Sequence, residues 1–226
     1  MDNQGNMIVV WILAVVLIVF GLGYLLLKYQ RVNAMSKAIK AGDFEKILVL
    51  CDEPRNRKML GNYTCDLYQF NALRSLKRMD ELKEALDEAI ANYGGQELEK
   101  ILELYYHYFL NHKDYTYALK LLSDIRDTGN NPFILCSEWS YQVIAEGRHD
   151  LFNAMEDAVN ANTFKGYSLG IVLYLMGLQL EWEGGLEEAK GYYQTAMECL
   201  PPLAIYKTLC ERHIDAVDDR MDTADA

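Results

Sequence analysis

Residues 173–201 read LYLMGLQLEWEGGLEEAKGYYQTAMECLP, and this stretch decides the fold of the chain. The Gly184-Gly185 pair separates two helix-forming segments and marks a tight turn between them. Small residues, which let two helices approach closely, recur along both segments at Gly177, Ala189 and Ala196. Pro201 follows the second segment and ends it. The stretch therefore predicts a hairpin of two closely packed helices.

This spacing of small and bulky residues resembles the tetratricopeptide repeat (TPR) family. Earlier segments match this pattern more loosely, at a spacing near the family's ~34-residue period. One spacing is near twice that period, and a degenerate unit lies within it. Their equivalents of Ala189 are Ile47, Ala85, Ala118 and, in the degenerate unit, Phe152. A single hairpin cannot bury its apolar face, so such units stack on one another. The resemblance implies an all-α fold with an α-solenoid of about four to five TPR-like hairpins.

The rest of the chain after residue 32 also has helical periodicity. Leu82, Leu86 and Ala89 recur on one face of a predicted helix, and Ile101, Tyr105 and Tyr108 do the same in the next one. Signals for β-strands are absent, and short breakers containing Gly, Asn or Pro separate the helical segments. The pattern predicts helices of roughly 12–15 residues joined by tight turns.

The N-terminal region has a different character. Residues 7–27 read MIVVWILAVVLIVFGLGYLLL and contain no charged side chain. A helix of this length spans roughly 31 Å, which matches the hydrocarbon core of a bilayer. Trp11 and Tyr24 lie near its two ends, where amphipathic rings favour the membrane interface. The run predicts one transmembrane helix that contacts the lipid bilayer.

Two other interpretations of this run were weighed. A cleaved signal peptide has a basic start and an apolar run of ~7–15 residues. Residues 1–6 contain no Lys or Arg, and the run is longer than that, so a signal-anchor is favoured. A buried core helix is disfavoured because the run is apolar on every face, whereas most core helices of small domains are amphipathic.

Charge next to the run predicts its orientation. Residues 28–58 carry eight basic side chains against four acidic ones, while the head carries only Asp2. Because Lys and Arg near a span stay on the cytoplasmic side, we expect the N-terminus outside and the TPR-like domain in the cytoplasm. The predicted organisation is a head (1–6), a transmembrane helix (7–27), a basic juxtamembrane linker (28–33), a TPR-like solenoid (34–215) and an acidic disordered tail (216–226).

Motifs for catalysis are not found. The four histidines form no HExxH, the five cysteines form no CxxC pair, and no phosphate-binding glycine loop is present. Cys210 and His213 lie three residues apart on a predicted helix, a spacing better explained by a packed thiol beside an exposed imidazole. We therefore expect no enzymatic activity, no cofactor, no metal and no small-molecule substrate. The net charge of −11 disfavours nucleic acid as a partner.

Two groups of residues are candidates for contact with a partner. The resemblance places Asn71, Arg74, Lys77 and Arg78 on the first helix of the second unit, where some TPR domains hold the C-terminal carboxylate of a peptide. Aromatic and apolar residues on predicted first helices could line the same kind of groove, and packing in the solenoid core is their alternative role. These residues are Tyr141, Tyr174, Leu178 and Trp182.

Together these features predict a membrane-anchored, non-catalytic scaffold that binds another protein or peptide. The anchor would confine the groove to the membrane and raise its effective concentration toward other membrane-bound partners. The alternative is an extracytoplasmic assembly or chaperone factor, in which the same domain faces outward and handles translocating or envelope proteins. The side of the membrane on which the domain lies distinguishes the two.

Overall fold

The computed structural model describes residues 3–202 and 204–224, and over this part of the chain every regular element is an α-helix. The predicted all-α class is confirmed there. The helices are α1 (Asn3–Ala41), α2 (Phe44–Asp52), α3 (Pro54–Leu60), α4 (Asn62–Ser75), α5 (Met79–Asn92), α6 (Gly95–Asn111), α7 (Tyr115–Asp127), α8 (Asn131–Ile144), α9 (Phe152–Asn160), α10 (Gly166–Glu183), α11 (Leu186–Cys199) and α12 (Ile205–Ala224). Residues 1–2 of the predicted head and 225–226 of the predicted tail lie outside the described residues.

The helices α1 to α5 form one compact unit, called unit 1, that ends at Tyr93. Met35 and Ala38, near the end of α1, are buried in one cluster with Ile47 and Cys51 of α2. α2 packs on α4, and α4 packs on α5. Residues 28–33, predicted as a linker, are instead a continuous part of α1, because no Gly or Pro interrupts the helix between the apolar run and this packed end.

α1 is long and apolar enough to cross a membrane, and no other helix in the described residues meets that test. Its large apolar side chains are exposed along residues 13–27, with Leu17 and Phe20 at 72% and 74% exposure. The polar turn after Ala41 ends the helix. Asp43 then caps α2, since its Oδ1 accepts a hydrogen bond from the Lys46 N–H at 3.2 Å.

Unit 2 begins at Gly94 and contains α6 to α12. α10 is its central helix: residues 170–179 are all buried, and α8, α9, α11 and α12 pack against it. The hairpin predicted for residues 173–201 is present as α10 and α11. Gly177 explains its close packing, because a Cβ atom there would lie 2.7 Å from the Tyr193 ring. Gly184 ends α10 in the left-handed conformation, at φ 89°.

The predicted repeat positions all lie on helices. Ile47 lies in α2, Ala118 in α7 and Ala189 in α11, and all three are buried. Ala85 lies in α5 and is half-buried, as is Phe152 at the start of α9. The repeat assignment and the solenoid arrangement stay predictions.

The C-terminal segment differs from its prediction. Residues 216–224 continue α12 instead of forming a disordered tail. Val217 is fully buried, and Asp218 accepts a hydrogen bond from Lys190 of α11 at 2.5 Å. These contacts supply the burial and pairing that an isolated acidic segment would lack.

Candidate functional site

The basic cluster predicted for one helix is divided between a helix and a turn. Asn71 and Arg74 lie on α4, whereas Lys77 and Arg78 lie in the turn that follows. Lys77 adopts the left-handed conformation with φ 59°, which ends the helical face. The Asn71 side chain donates to the Leu67 carbonyl at 2.9 Å. The structure therefore does not present these four side chains as one helical surface.

Arg78 is held by carboxylates of unit 1. Its Nε donates to Glu81 at 2.5 Å, and its Nη1 lies 3.2 Å from Glu45. The hydrogen bond from Arg78 holds the pKa of Glu81 below its ordinary value. Much of the positive charge that a peptide carboxylate would need is thus already matched within the chain.

The predicted aromatic group lies in unit 2, and its members have different surroundings. Tyr174 and Leu178 are 4% and 5% exposed, so both belong to the α10 core and line no open groove. Tyr141 on α8 is half-buried. Trp182 is 42% exposed, and its ring packs edge-on against His149 at 4.6 Å between centroids. Of these four residues, Trp182 is the one with a large exposed surface.

A polar cluster joins α10, α11 and α12 within unit 2. Glu181 accepts hydrogen bonds from Tyr193 at 2.7 Å and from His213 Nδ1 at 2.8 Å, and it also pairs with Arg220. Burial raises the pKa of Glu181, but the hydrogen bonds from Tyr193 and the charge of His213 outweigh it, so the pKa lies below its ordinary value. This geometry explains how α12 is held against the hairpin.

Cys210 and His213 do not form a catalytic pair. Cys210 is fully buried, and burial raises the pKa of its thiol to about 12, so the thiolate is not available at neutral pH. His213 directs one ring nitrogen to Glu181, and the other lies 3.4 Å from the Tyr174 hydroxyl. The sequence prediction of a packed thiol agrees with this position.

A second histidine lies in the core of unit 2. His107 on α6 is 1% exposed, and its Nδ1 lies 2.8 Å from the Tyr206 hydroxyl. The rings of Tyr106, Tyr167 and Tyr206 pack edge-on against it. Burial lowers the pKa of His107 to about 3, so the imidazole is neutral at physiological pH. Its role is to satisfy a hydroxyl within the core.

Unit 1 contains an open cleft. α2 and α5 both pack on α4, and two adjoining cavities of about 580 Å³ and 460 Å³ lie between them. The two cavities share residues from all three helices, and together they are called the α2–α5 cleft. The shared residues are Asp52, Gln69, Ala85 and Glu88.

The α2–α5 cleft is acidic. Its lining carries six carboxylates, Glu45, Asp52, Asp66, Glu81, Glu84 and Glu88, against two arginines, Arg57 and Arg78. Both arginines pair with carboxylates of the lining itself. Asp52, Glu84 and Glu88 are exposed and make no ion pair with any described residue. The cleft therefore presents unmatched negative charge to solvent.

A hydrogen-bond network fixes one wall of the cleft. Arg57 donates to Asp66 at 2.7 Å, to Gln69 at 3.0 Å and to the Cys51 carbonyl at 2.9 Å. The Tyr93 hydroxyl donates to the second oxygen of Asp66 at 2.6 Å. Arg57, Asp66 and Gln69 are thereby held in place by contacts within unit 1, and such preorganisation would lower the entropic cost of binding a ligand.

The sequence reasoning missed this cleft. Carboxylates are most often found on the solvated faces of helices, so the acids of α5 did not stand out as part of a site. The density of acids in the segment MDELKEALDEAI was the one available signal, and it does not reveal that α2 carries Asp52 toward the same space. That juxtaposition depends on how both helices pack on α4.

No group of three or more His, Cys, Asp or Glu side chains with metal-binding geometry occurs among the described residues. Comparison with models of protein families, with curated proteins and with solved structures finds no match to this chain. The resemblance to tetratricopeptide repeats therefore stays a prediction that rests on the residues that carry it.

Proposed function

We propose that this chain is a single-pass membrane protein that binds another protein and has no catalytic activity of its own. α1 would anchor it, a TPR-like solenoid would form the remainder, and the α2–α5 cleft would contact the partner. One observation carries the proposal: the exposed apolar run of α1 continues without a break into the packed unit that contains the cleft. The proposed anchor and the unit that would bind the partner are thus joined by one continuous helix.

The basic residues that follow the run support a cytoplasmic position for both units. A reporter fused after Ala226 tests this orientation. Activity of a reporter that works only in the cytoplasm is expected. Activity confined to the outside would instead favour the extracytoplasmic assembly or chaperone factor.

Site-specific photo-crosslinking in cells tests the binding function. A photo-crosslinking amino acid replaces Val49 in the cleft, and in a control chain it replaces Glu187, an exposed residue on α11. Ultraviolet light is expected to give discrete protein adducts from position 49 in the membrane fraction and few from position 187. The absence of adducts from both positions, or recovery of the full chain in the soluble fraction, would reject the proposal.

A further inference from the structure

The α2–α5 cleft lies close to the end of the apolar run. Arg31 follows Leu27 by four residues, which is about 6 Å along a helix. Its guanidinium lies 3.1 Å from the carboxylate of Glu53, and Glu53 is the neighbour of Asp52 in the cleft lining. With α1 in a bilayer, one end of the cleft would therefore lie within roughly 10–15 Å of the hydrocarbon boundary.

The chemistry of the cleft selects for positive charge. The three unmatched carboxylates, Asp52, Glu84 and Glu88, lie on the two facing helices. The side-chain amides of Asn62 and Asn92 also line the cleft and can accept hydrogen bonds from ammonium or guanidinium groups. A cationic segment would thus meet carboxylates on both sides.

The cleft also offers apolar contact. Val49 on α2 lines it and is 69% exposed. Leu48, Leu73 and Ala85 line the same part. A ligand with basic residues alone would leave this surface in water, whereas a segment that carries both Lys or Arg and apolar residues would cover it.

We propose that the cleft binds the Lys/Arg-rich juxtamembrane segment of another membrane protein. Such segments combine basic residues with the apolar ends of their spans, and they lie on the cytoplasmic side, where the sequence predicts both units. The position of the cleft near the bilayer places it at the height of these segments. This inference rests on the proposed function and names the class of partner.

Reconstitution of the full chain in phosphatidylcholine vesicles, which carry no net lipid charge, provides the test. The probe is a synthetic peptide with one model transmembrane span followed directly by a fluorescent segment of alternating Lys or Arg and Leu. A second peptide with Glu at each basic position serves as the charge control. Energy transfer from a donor fluorophore attached to the chain after Ala226 reports binding as a function of peptide density.

Two sets of substitutions separate the cleft from the overall charge of the chain. The first set, D52N, E84Q and E88Q, removes the unmatched carboxylates of the cleft. The second set, E211Q, D215N and D219N, removes the same charge from exposed positions of α12. We expect the first set to weaken binding of the basic peptide by about ten-fold or more and the second to change it by less than about two-fold. Unchanged helical circular dichroism verifies that all variants fold.

Several results would overturn the inference. One is that the two sets of substitutions weaken binding of the basic peptide equally. The others are that the Glu peptide binds as well as the basic peptide, or that the wild-type chain does not bind the basic peptide. A soluble peptide of the same basic sequence lacks the effective concentration that the membrane supplies. At equal total peptide concentration it is therefore expected to bind at least about ten-fold more weakly than the peptide with a span. Equal binding of the soluble form would reject a membrane-proximal partner.

Failure of the inference and failure of the proposed function give different results. If cellular adducts form at position 49 but the basic peptide does not bind, the chain binds a partner of another class. If neither position gives adducts in cells, the binding function itself is rejected, whatever the peptide does in vesicles.

Discussion

Helices α1 and α10 are both apolar on every side, and the structure gives them opposite surroundings. Residues 166–180 of α10 carry no charge, as residues 7–27 of α1 carry none. Yet residues 170–179 are all buried by protein, whereas the large apolar side chains over residues 13–27 of α1 are exposed. An apolar helix thus has to be shielded from water, but its composition does not decide whether protein or lipid covers it.

The two helices differ in how closely other residues pack against them. In α10 a Cβ at Gly177 would meet the Tyr193 ring, and Gln179 accepts a hydrogen bond from the Leu151 N–H at 2.9 Å. In α1 neither Gly21 nor Gly23 has any atom within 4 Å of such a Cβ. Exposing each large apolar side chain costs about 1.5–3 kcal/mol, so α1 in water would be unfavourable by on the order of 20 kcal/mol. A bilayer is the partner that its length fits.

The largest expected effect comes from one Arg placed in each helix. Leu175→Arg in α10 puts an unpaired charge at a site with no exposure, so unit 2 is expected to lose more than about 4 kcal/mol and its cooperative unfolding. Leu17→Arg in α1 should leave that unfolding unchanged but weaken membrane integration by about 2.5–3.5 kcal/mol. Near-ultraviolet circular dichroism in denaturant and carbonate extraction measure the two effects.

The comparison between the helices would break if Leu17→Arg also destabilised unit 2. The same holds if Leu175→Arg left the unfolding transition intact, since that result would mean that α10 is not enclosed by protein.

A smaller pair of effects is expected from one added methyl group. Gly177→Ala should destabilise unit 2 by about 1–3 kcal/mol, because the new Cβ meets a buried Tyr193 whose hydroxyl is fixed by Glu181. Gly21→Ala is the matched change in α1, and it should leave the free energy of unfolding within about 0.5 kcal/mol of wild type. Urea titration of the detergent-solubilised full chain measures both. Equal effects at the two glycines would contradict the packing described for α10.

The third prediction concerns the effect of pH, which should differ between the protein core around α10 and the apolar run of α1. His107 packs edge-on with Tyr167 of α10, and its pKa of about 3 lies below the ordinary value of 6.5. Between these values the unfolded chain binds the extra proton, so the stability of unit 2 falls as pH drops below 6.5. From pH 6.5 to 5 the loss from this residue is about 2 kcal/mol.

His107→Gln should remove that part of the pH dependence and keep a polar group near Tyr206. Denaturant titrations at pH 7 and 5 for both chains give the difference. Membrane association, measured by flotation with vesicles at each pH, should stay constant over the same range, because residues 7–27 carry no group that titrates there. An equal loss of stability between pH 7 and pH 5 in the two chains would show that His107 is not buried as described.

The sequence predicted the features that depend on local patterns. Gly184-Gly185 and the small residues around them were sufficient for the α10–α11 hairpin, and the uncharged run was sufficient for a long apolar α1. Tyr174 and Leu178 were groove candidates because of their shared helical face, with packing in the core as the alternative. Spacing does not show which face another helix covers, and the packing of α11 and α12 on α10 places both residues in the core.

The site was less predictable than the fold for the same reason. Lys77 and Arg78 were placed on a helix by the resemblance to the repeat family, but α4 ends before them. Asp52 and Glu88 come from segments separated in sequence, and they line one cleft only because α2 and α5 both pack on α4. No pattern along a single helix contains that information.

The uninterrupted α1 has a mechanical consequence. Fourteen residues, or about 21 Å of helix, separate Leu27 from Ala41, and no hinge lies between them. In the proposed anchored state, a tilt of the span by about 20° would displace the far end of α1 sideways by roughly 7 Å and rotate unit 1 with it. Bilayer thickness influences that tilt. It would therefore also influence the orientation of the cleft relative to the membrane.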